Sequence, residues 1–427
     1  MFDRLILSVL ILILWVFLVF WQIHIPYIPS VSLILIFIIS YSLILCLGQK
    51  ANQDKVHEIQ LDESYLPHVN ILIPAHNEGI VLKDTIENIA NIDYPSYDIL
   101  IIDDRSKDNT LEIAKELAEK YKGKVNVYSR TQGAFPGKSA VLNDALQIIN
   151  GELICVFDSD ARVKPDFLSS AVPYLKNDEV GAVQVRKVIS NKDKNVLTKC
   201  QHYEYCIDTC IQLGRNSLKG AVELRGNGQI IKRSALDTVG GFNNYTLTDD
   251  LDLSTRLYLN AYDIRFFYDT YVSEEGIESI KPILNQRKRW AEGGIRRYLE
   301  NFISIISSKK LSSRASFDMM AYFSEFVLPI WLISDMVIQT IYIILGNPPH
   351  IFMNFGIILG ILLFFVTFLF ISIRKFDSLG ALSSLKWSII TAVYLITLWT
   401  VVVCFVVFKI IFKPKSLAWY KPERVGA

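Results

Sequence analysis

Carboxylates recur along this chain in close pairs, at Asp103-Asp104, Asp158-Ser159-Asp160 and Asp249-Asp250. Such pairs can hold a divalent cation, or make one member basic by mutual repulsion. Asp158 and Asp160 stand two apart where an apolar run ends. A strand would point both the same way, toward one Mg²⁺ or Mn²⁺, although a polar turn explains them equally well. Thr248-Asp249-Asp250-Leu251-Asp252 opens a helical pattern in which Thr248 could cap and acidic residues suit the first turn. Three carboxylates in five residues exceed what capping requires, and a member with a raised pKa would suit a general base. Downstream, Gln286-Arg287-Lys288-Arg289-Trp290 sets guanidinium groups beside an indole, able to clamp a diphosphate and floor a polar ring.

Three further positions are open to two readings. Asp103 and Asp104 could bond the imide or hydroxyls of a nucleoside, or form a turn ahead of the next helix. Lys138, after Pro136-Gly137 at a helix start, could contact phosphate or be solvated. Cys200, His202, Cys206 and Cys210 lack knuckle spacing and suit helix packing better than metal binding. The pattern contains neither GxxxxGK[ST] nor GxGxxG.

The elements that must position these residues alternate strand and helix. Apolar runs at 69–74, 98–102, 124–128 and 153–157 are separated by helical patterns after Val81, near 109–121 and at 139–149. This alternation predicts a parallel sheet covered on both faces. Ligands in open sheets of this kind lie beyond the carboxyl ends of the strands, where the Asn77-Glu78 turn, Asp103-Asp104 and Asp158-Ser159-Asp160 all fall.

Half of the 427 residues are apolar, and 44 Lys and Arg offset 43 Asp and Glu, which gives no electrostatic reason for a nucleic-acid partner. Uncharged runs at 5–22 and 28–48 are each long enough to span a bilayer, as are 351–372 and 388–412. The segment 318–346 carries Glu325, Pro329 and Asp335 and reads as a third, interrupted carboxyl-terminal span. The first run is too long for a signal-peptide core and no small-residue cleavage site follows it. Arg4 and the uncharged 23–30 loop place the amino terminus and the soluble part in the cytoplasm. Five simple crossings would then put Lys413, Lys415, Lys421 and Arg424 outside, against the positive-inside rule. A stretch running from Trp290 to Ile306, with Arg296 and Arg297 on its basic face, suits a helix lying on anionic lipid.

The order PAHNE, DDRS, GK, DSDA, TDDLD, QRKRW resembles the membrane-associated inverting glycosyltransferases of family 2, which have a GT-A (nucleotide-diphospho-sugar transferase) α/β fold. The resemblance implies donor contacts for Glu78, Asp103, Asp104, Lys138 and Asp158, with Mg²⁺ or Mn²⁺ held by Asp158 and Asp160. Asp250 becomes the catalytic base, and Asp249, Gln286, Arg289 and Trp290 hold diphosphate and acceptor. The expected organisation is 1–48 two transmembrane helices, 49–290 the cytoplasmic catalytic domain, and 291–315 an amphipathic interface segment. About three transmembrane helices at 316–412 and a basic tail at 413–427 complete it. Within the family, cellulose, hyaluronan and poly-N-acetylglucosamine synthases share QxxRW but usually carry Glu where this chain has Asp249. The runs RGNGQIIKRSAL, GGFNNYTLTDDLDLSTRL and EEGIESIKPILNQRKRW are more similar to the cyanobacterial β-monoglucosyldiacylglycerol synthases. That likeness implies UDP-glucose as donor and diacylglycerol as membrane-dissolved acceptor, with a processive β-glycan synthase as the alternative.

Overall fold

The computed structural model describes residues 2–25, 28–57, 64–346 and 351–415. Two helices come first, α1 (Phe2–His24) and α2 (Val31–His57). The catalytic unit follows as β1 (Val69–Ala75), α3 (Gly79–Ile89), β2 (Tyr97–Asp103), α4 (Thr110–Lys120), β3 (Val125–Ser129), α5 (Lys138–Leu146) and β4 (Leu153–Val156). It continues through β5 (Arg162–Val163), α6 (Phe167–Ala171), β6 (Val180–Ile189), α7 (Val196–Ser217), β7 (Gln229–Lys232), α8 (Arg233–Thr238), α9 (Asp249–Leu259) and β8 (Asp263–Glu274). Four long helices close the chain: α10 (Ile280–Ser307), α11 (Ser313–Ile344), α12 (Ile351–Phe376) and α13 (Ala381–Phe412).

The eight strands form one sheet in the order β3-β2-β1-β4-β7-β6-β8-β5. Strands β1 to β4 are parallel, with Val69 opposite both Tyr97 and Leu153. The expected parallel arrangement stops there. β7 runs antiparallel to both β4 and β6, and β5 runs antiparallel to β8, so the sheet is mixed. Strand alternation sends Ile71, Ile73, Ile99 and Ile101 to one core and Leu72, Leu100 and Ile102 to the other. Because both faces are covered, the strands read as nearly continuous apolar runs. The strand order reverses at β1, which opens a crevice at the carboxyl ends of β1 and β4.

Five helices, α1, α2, α11, α12 and α13, are long and apolar enough to cross a membrane. The interruption expected around Pro329 does not occur: α11 is one helix, and Ser30 Oγ donates to its Asp335 at 2.7 Å. The helices are joined to the catalytic unit through α7. A Cβ on Gly214 would stand 2.7 Å from Leu45 Cβ, so α7 and α2 cross at a distance only glycine permits. Cys206 and Cys210 of α7 pack with Phe368, Leu369 and Ile373 of α12, and all six thiols are free.

Helix α13 is held at both ends by catalytic-unit residues or their neighbours. Just before it, Asp377 accepts from Lys192 Nζ at 3.1 Å, and Arg186 donates to Phe376 O at 3.1 Å. Near its other end Lys409 pairs with Glu292 at 2.6 Å, Lys415 pairs with Glu300 at 3.0 Å, and Arg4 donates to Ile411 O. The carboxyl end of α13 therefore lies beside α10 and the start of α1. Lys421 and Arg424 fall outside the described residues.

The stretch expected to lie on anionic lipid through Arg296 and Arg297 does not present those arginines to a surface. Arg296 pairs with Glu292 at 3.1 Å and Arg297 with Glu223 at 2.8 Å, and both are buried. The helical period was legible, but the helix has a covered face on two sides, against α9 and α11 and against α13.

Candidate active site

Strand β4 ends at Val156, so Asp158 and Asp160 sit in the following turn and side-chain alternation no longer applies to them. Ser159 Oγ donates to Pro74 O at 3.0 Å and locks that turn against β1. Asp158 faces an open cavity and accepts from Lys138 Nζ at 2.7 Å. Asp160 is set back, buried, and its Oδ2 accepts the Glu275 N–H at 2.9 Å. The expected common direction of the two side chains is thus replaced by one half-buried carboxylate on the cavity and one buried behind it.

Lys138 opens α5 and reaches into a ring of acids. Asp158, Asp249 and Asp250 together hold its ammonium well above the ordinary lysine value despite burial. Opposite it, the turn Arg225-Gly226-Asn227-Gly228 has φ of +75° at Gly226 and +71° at Gly228. A Cβ on Gly226 would lie 3.2 Å from Asp250 Oδ2, so the turn must be bare to pass that carboxylate. Asn227 Oδ1 accepts the Asp158 N–H at 3.1 Å and ties the same turn to the segment that carries Asp158 and Asp160.

Asp249 and Asp250 begin α9. Thr248 occupies the cap position, but its side chain makes no capping hydrogen bond, contrary to expectation. It packs instead on α10, where a Cβ on Gly293 would fall 2.5 Å from Thr248. Glycine at 293 lets α10 approach and fixes the first turn of α9. Asp250 Oδ1 accepts the Leu251 N–H at 2.9 Å. Burial, and then the neighbouring Asp249, push the Asp250 carboxyl up to about 6, against the pull of Lys138 and Arg225. That value suits a group that accepts a proton near neutral pH.

From α10, Gln286, Arg289 and Trp290 face the same cavity. Arg289 Nη1 donates to Leu247 O at 3.2 Å, just ahead of the paired carboxylates. The Arg287 guanidinium lies 4.0 Å over the Trp290 ring and is anchored on Glu204 at 2.6 Å. The indole therefore lies against a cation that is itself anchored.

Seven of the expected site residues line one cavity: Lys138, Asp158, Asp249, Asp250, Gln286, Arg289 and Trp290. Glu78, Asp103, Asp104 and Asp160 lie behind its wall and are nearly fully buried. Asp104 Oδ1 accepts from both Arg105 Nε at 2.8 Å and Arg130 Nη1 at 2.7 Å. Asp103 Oδ2 accepts the Ser106 N–H, while its Oδ1 is buried without a hydrogen-bond partner among the described residues. The Glu78 backbone N–H donates to Thr110 Oγ1 at 2.8 Å.

The cavity has a volume of about 650 Å³ and does not stop at the catalytic unit. It continues between α2, α11, α12 and α13, where Leu328, Leu332, Ile361, Phe364, Phe365 and Ile396 form its wall. One space joins Asp250 to the interior of the helix bundle.

A family model described as "Glycosyltransferase like family 2" matches residues 67–293, the whole of this sheet and its site. The chain belongs to this glycosyltransferase family. It is a sugar-transferring enzyme with a GT-A-like fold and flanking apolar helices. It is 37% identical over 372 residues to a protein named beta-monoglucosyldiacylglycerol synthase from Trichormus variabilis, covering 85% of this chain and 77% of that one. It is 30% identical over 257 residues to a poly-beta-1,6-N-acetyl-D-glucosamine synthase from Staphylococcus epidermidis, covering 60% and 61%. The solved mannosyltransferase PcManGT from Pyrobaculum calidifontis, in complex with GDP-Man and Mn²⁺, matches with a TM-score of 0.61 at 18% identity. That match covers 85% of this chain and 99% of that one, a likeness of fold.

In this transferase several cavity residues escaped motif reading: Arg225 and Gly226, Asp208, Glu274, and Glu325 of α11. Two glycines flanking an asparagine just ahead of a strand were the available signal for the Arg225–Gly228 turn. Glu325 stood out only as a charge within an apolar run.

Proposed function

We propose that this enzyme transfers glucose from UDP-glucose to the free hydroxyl of diacylglycerol, giving a β-glucoside by a single inverting displacement. The observation that carries the lipid reading is the continuity of the cavity. It begins at Asp249 and Asp250 and runs into a bundle where its wall is aliphatic and aromatic. Acyl chains match such a wall, each buried methylene contributing about 0.8 kcal/mol. A polar glycan chain does not match it. The likeness to beta-monoglucosyldiacylglycerol synthases supports the same acceptor.

The donor's diphosphate would lie by Asp158 and Lys138, and the acceptor hydroxyl between Asp250 and the sugar. As the acceptor oxygen bonds to the anomeric carbon, the bond from that carbon to the diphosphate oxygen breaks. Asp250 takes the hydroxyl proton, and UDP leaves with the bonding electrons. Asp103 Oδ1, buried behind the cavity wall without a hydrogen-bond partner among the described residues, is the acceptor we assign to a uracil imide N–H.

Asp158, on the cavity wall, offers a hard oxygen donor that fits Mg²⁺ or Mn²⁺, whereas Asp160, expected beside it, is buried with its Oδ2 on the Glu275 N–H and does not line the cavity. Among the described residues no group of three His, Cys, Asp or Glu could enclose an ion, so phosphate oxygens would complete the coordination. Bound there, the ion would offset charge on the departing diphosphate.

We place the catalytic unit in the cytoplasm, with Arg4, the α12–α13 turn and the end of α13 on that same side. In this arrangement α13 does not cross simply. It runs beneath the catalytic unit with both ends tethered to it, which removes the conflict between five crossings and a basic carboxyl end.

The deciding assay supplies purified enzyme in detergent with Mg²⁺, labelled UDP-glucose and diacylglycerol, and separates lipid extract from polymer. A single lipid carrying one β-glucose is expected. Label that accumulates as polymer without added diacylglycerol would overturn this reading in favour of a β-glycan synthase.

A further inference from the structure

We propose that Glu325 acts as a charge filter in the acceptor cavity, admitting lipids with an uncharged hydroxyl headgroup and rejecting those with a phosphate beside the hydroxyl. The inference rests on the lipid-acceptor reading above and deepens it.

Glu325 stands in α11, a helix long and apolar enough to span a membrane, and its side chain is exposed to the same cavity that holds Asp250. Among the described residues it makes no hydrogen bond and no ion pair. A carboxylate at such depth is costly, and its usual place is a substrate path. Most cations on the cavity wall are already matched. Lys138 is paired with Asp158 at 2.7 Å, and Lys187 with Glu274 at 2.8 Å. Arg225 is held by Asp208 at 2.6 Å and Glu223 at 2.8 Å.

Arg289 remains, its Nη1 on Leu247 O, and Asp249, Asp250 and Glu325 line the same cavity without an ion-pair partner among the described residues. The cavity lining as a whole carries eight carboxyl groups against four Lys and Arg side chains, so it is acidic in character before any substrate enters. Its apolar walls weaken screening and lengthen the reach of that charge. A neutral headgroup pays no electrostatic penalty there, whereas a lipid phosphate would meet Glu325 with Arg289 as the one lining cation left without an ion-pair partner among the described residues. Acyl chains alone cannot make this distinction, since neutral and phosphorylated lipids share them.

The test compares diacylglycerol with phosphatidylglycerol, whose headgroup hydroxyls adjoin a phosphate, as competing acceptors of labelled glucose. Full-length enzyme is used in nanodiscs of uncharged lipid. The readout is the ratio of kcat/KM for the two acceptors, not the rate with either. Wild type should strongly favour diacylglycerol. Glu325→Gln should move the ratio toward phosphatidylglycerol by about tenfold, and Glu325→Lys further. Glu325→Asp, which keeps the charge and changes the packing, should keep the wild-type preference. Equal ratios in wild type, Gln and Lys forms that still glucosylate diacylglycerol would overturn the filter and leave the lipid reading standing. Wild type that glucosylates neither lipid would overturn both.

Discussion

The two ends of the cavity are built on opposite electrostatic plans. At the sheet end, carboxylates are matched by fixed cations: Asp158 by Lys138 and Asp104 by Arg105 and Arg130. At the helix end, Asp249, Asp250 and Glu325 are left without ion partners among the described residues, and the surrounding wall is apolar. A dianionic donor needs cations and hydrogen-bond donors already in place, because reorganising them during reaction costs rate. A base needs the reverse, a site in which its charged form is under-stabilised. In the proposed mechanism the enzyme separates these demands by using the rigid strand ends for one and the join between sheet and helix bundle for the other.

Breaking the proposed base should have the largest effect. Asp250→Asn should lower transfer by roughly 10²- to 10⁴-fold while UDP binding, followed by calorimetry, persists. Because Asp250 is pushed up to about 6, the folded enzyme binds its proton more tightly than the unfolded chain does. Ionising it therefore costs stability as pH rises through 6, so Asp250→Asn should raise the melting temperature at neutral pH.

The same shift sharpens the contrast through pH. As the proposed base, Asp250 must be ionised to accept a proton, so kcat/KM should fall about tenfold per unit below pH 6 and level off above it. Lys138→Met removes the cation that bridges the two plans. It should move this acidic limb to higher pH, since the carboxylates lose their stabilising charge, and should weaken UDP-glucose binding. An unmoved limb would show that Lys138 does not act on Asp250.

A smaller effect should come from the apolar wall. Leu332→Trp places added volume where acyl chains would lie and should raise KM for diacylglycerol several-fold, in line with a hydrophobic pocket contact. Affinity for UDP should be unchanged. A rise in both constants would mean that the two ends are not independent.

The least perturbing probe concerns how the bundle holds the site. Lys415→Cys, at the end of α13 beside Glu300, should react with a membrane-impermeant maleimide only from the face that carries the catalytic unit. Labelling from the opposite face would restore five simple crossings.

Strand and helix periodicity, five apolar segments and an ordered set of carboxylate and arginine motifs were all present in the linear chain. They determined a layered α/β transferase domain flanked by helices apolar enough to cross a membrane, and they named seven of the residues that line the cavity, because local chemistry and repeat length are written residue by residue. Three matters waited for the tertiary structure. The first was direction: β4 ends before Asp158, so the Asp158 and Asp160 side chains part, and β7 returns antiparallel. The second was which face of a helix is covered. Arg296 and Arg297 read as a lipid-facing pair until Glu292 and Glu223 are brought to them, Glu223 from far along the chain. The third was the cavity itself. Lys138, Arg225, Asp250 and Glu325 are separated in sequence by up to 187 positions, so no motif spacing could join them. Cavities and charge balance are sums over long-range contacts, and those exist only once the sheet and the helix bundle have packed together.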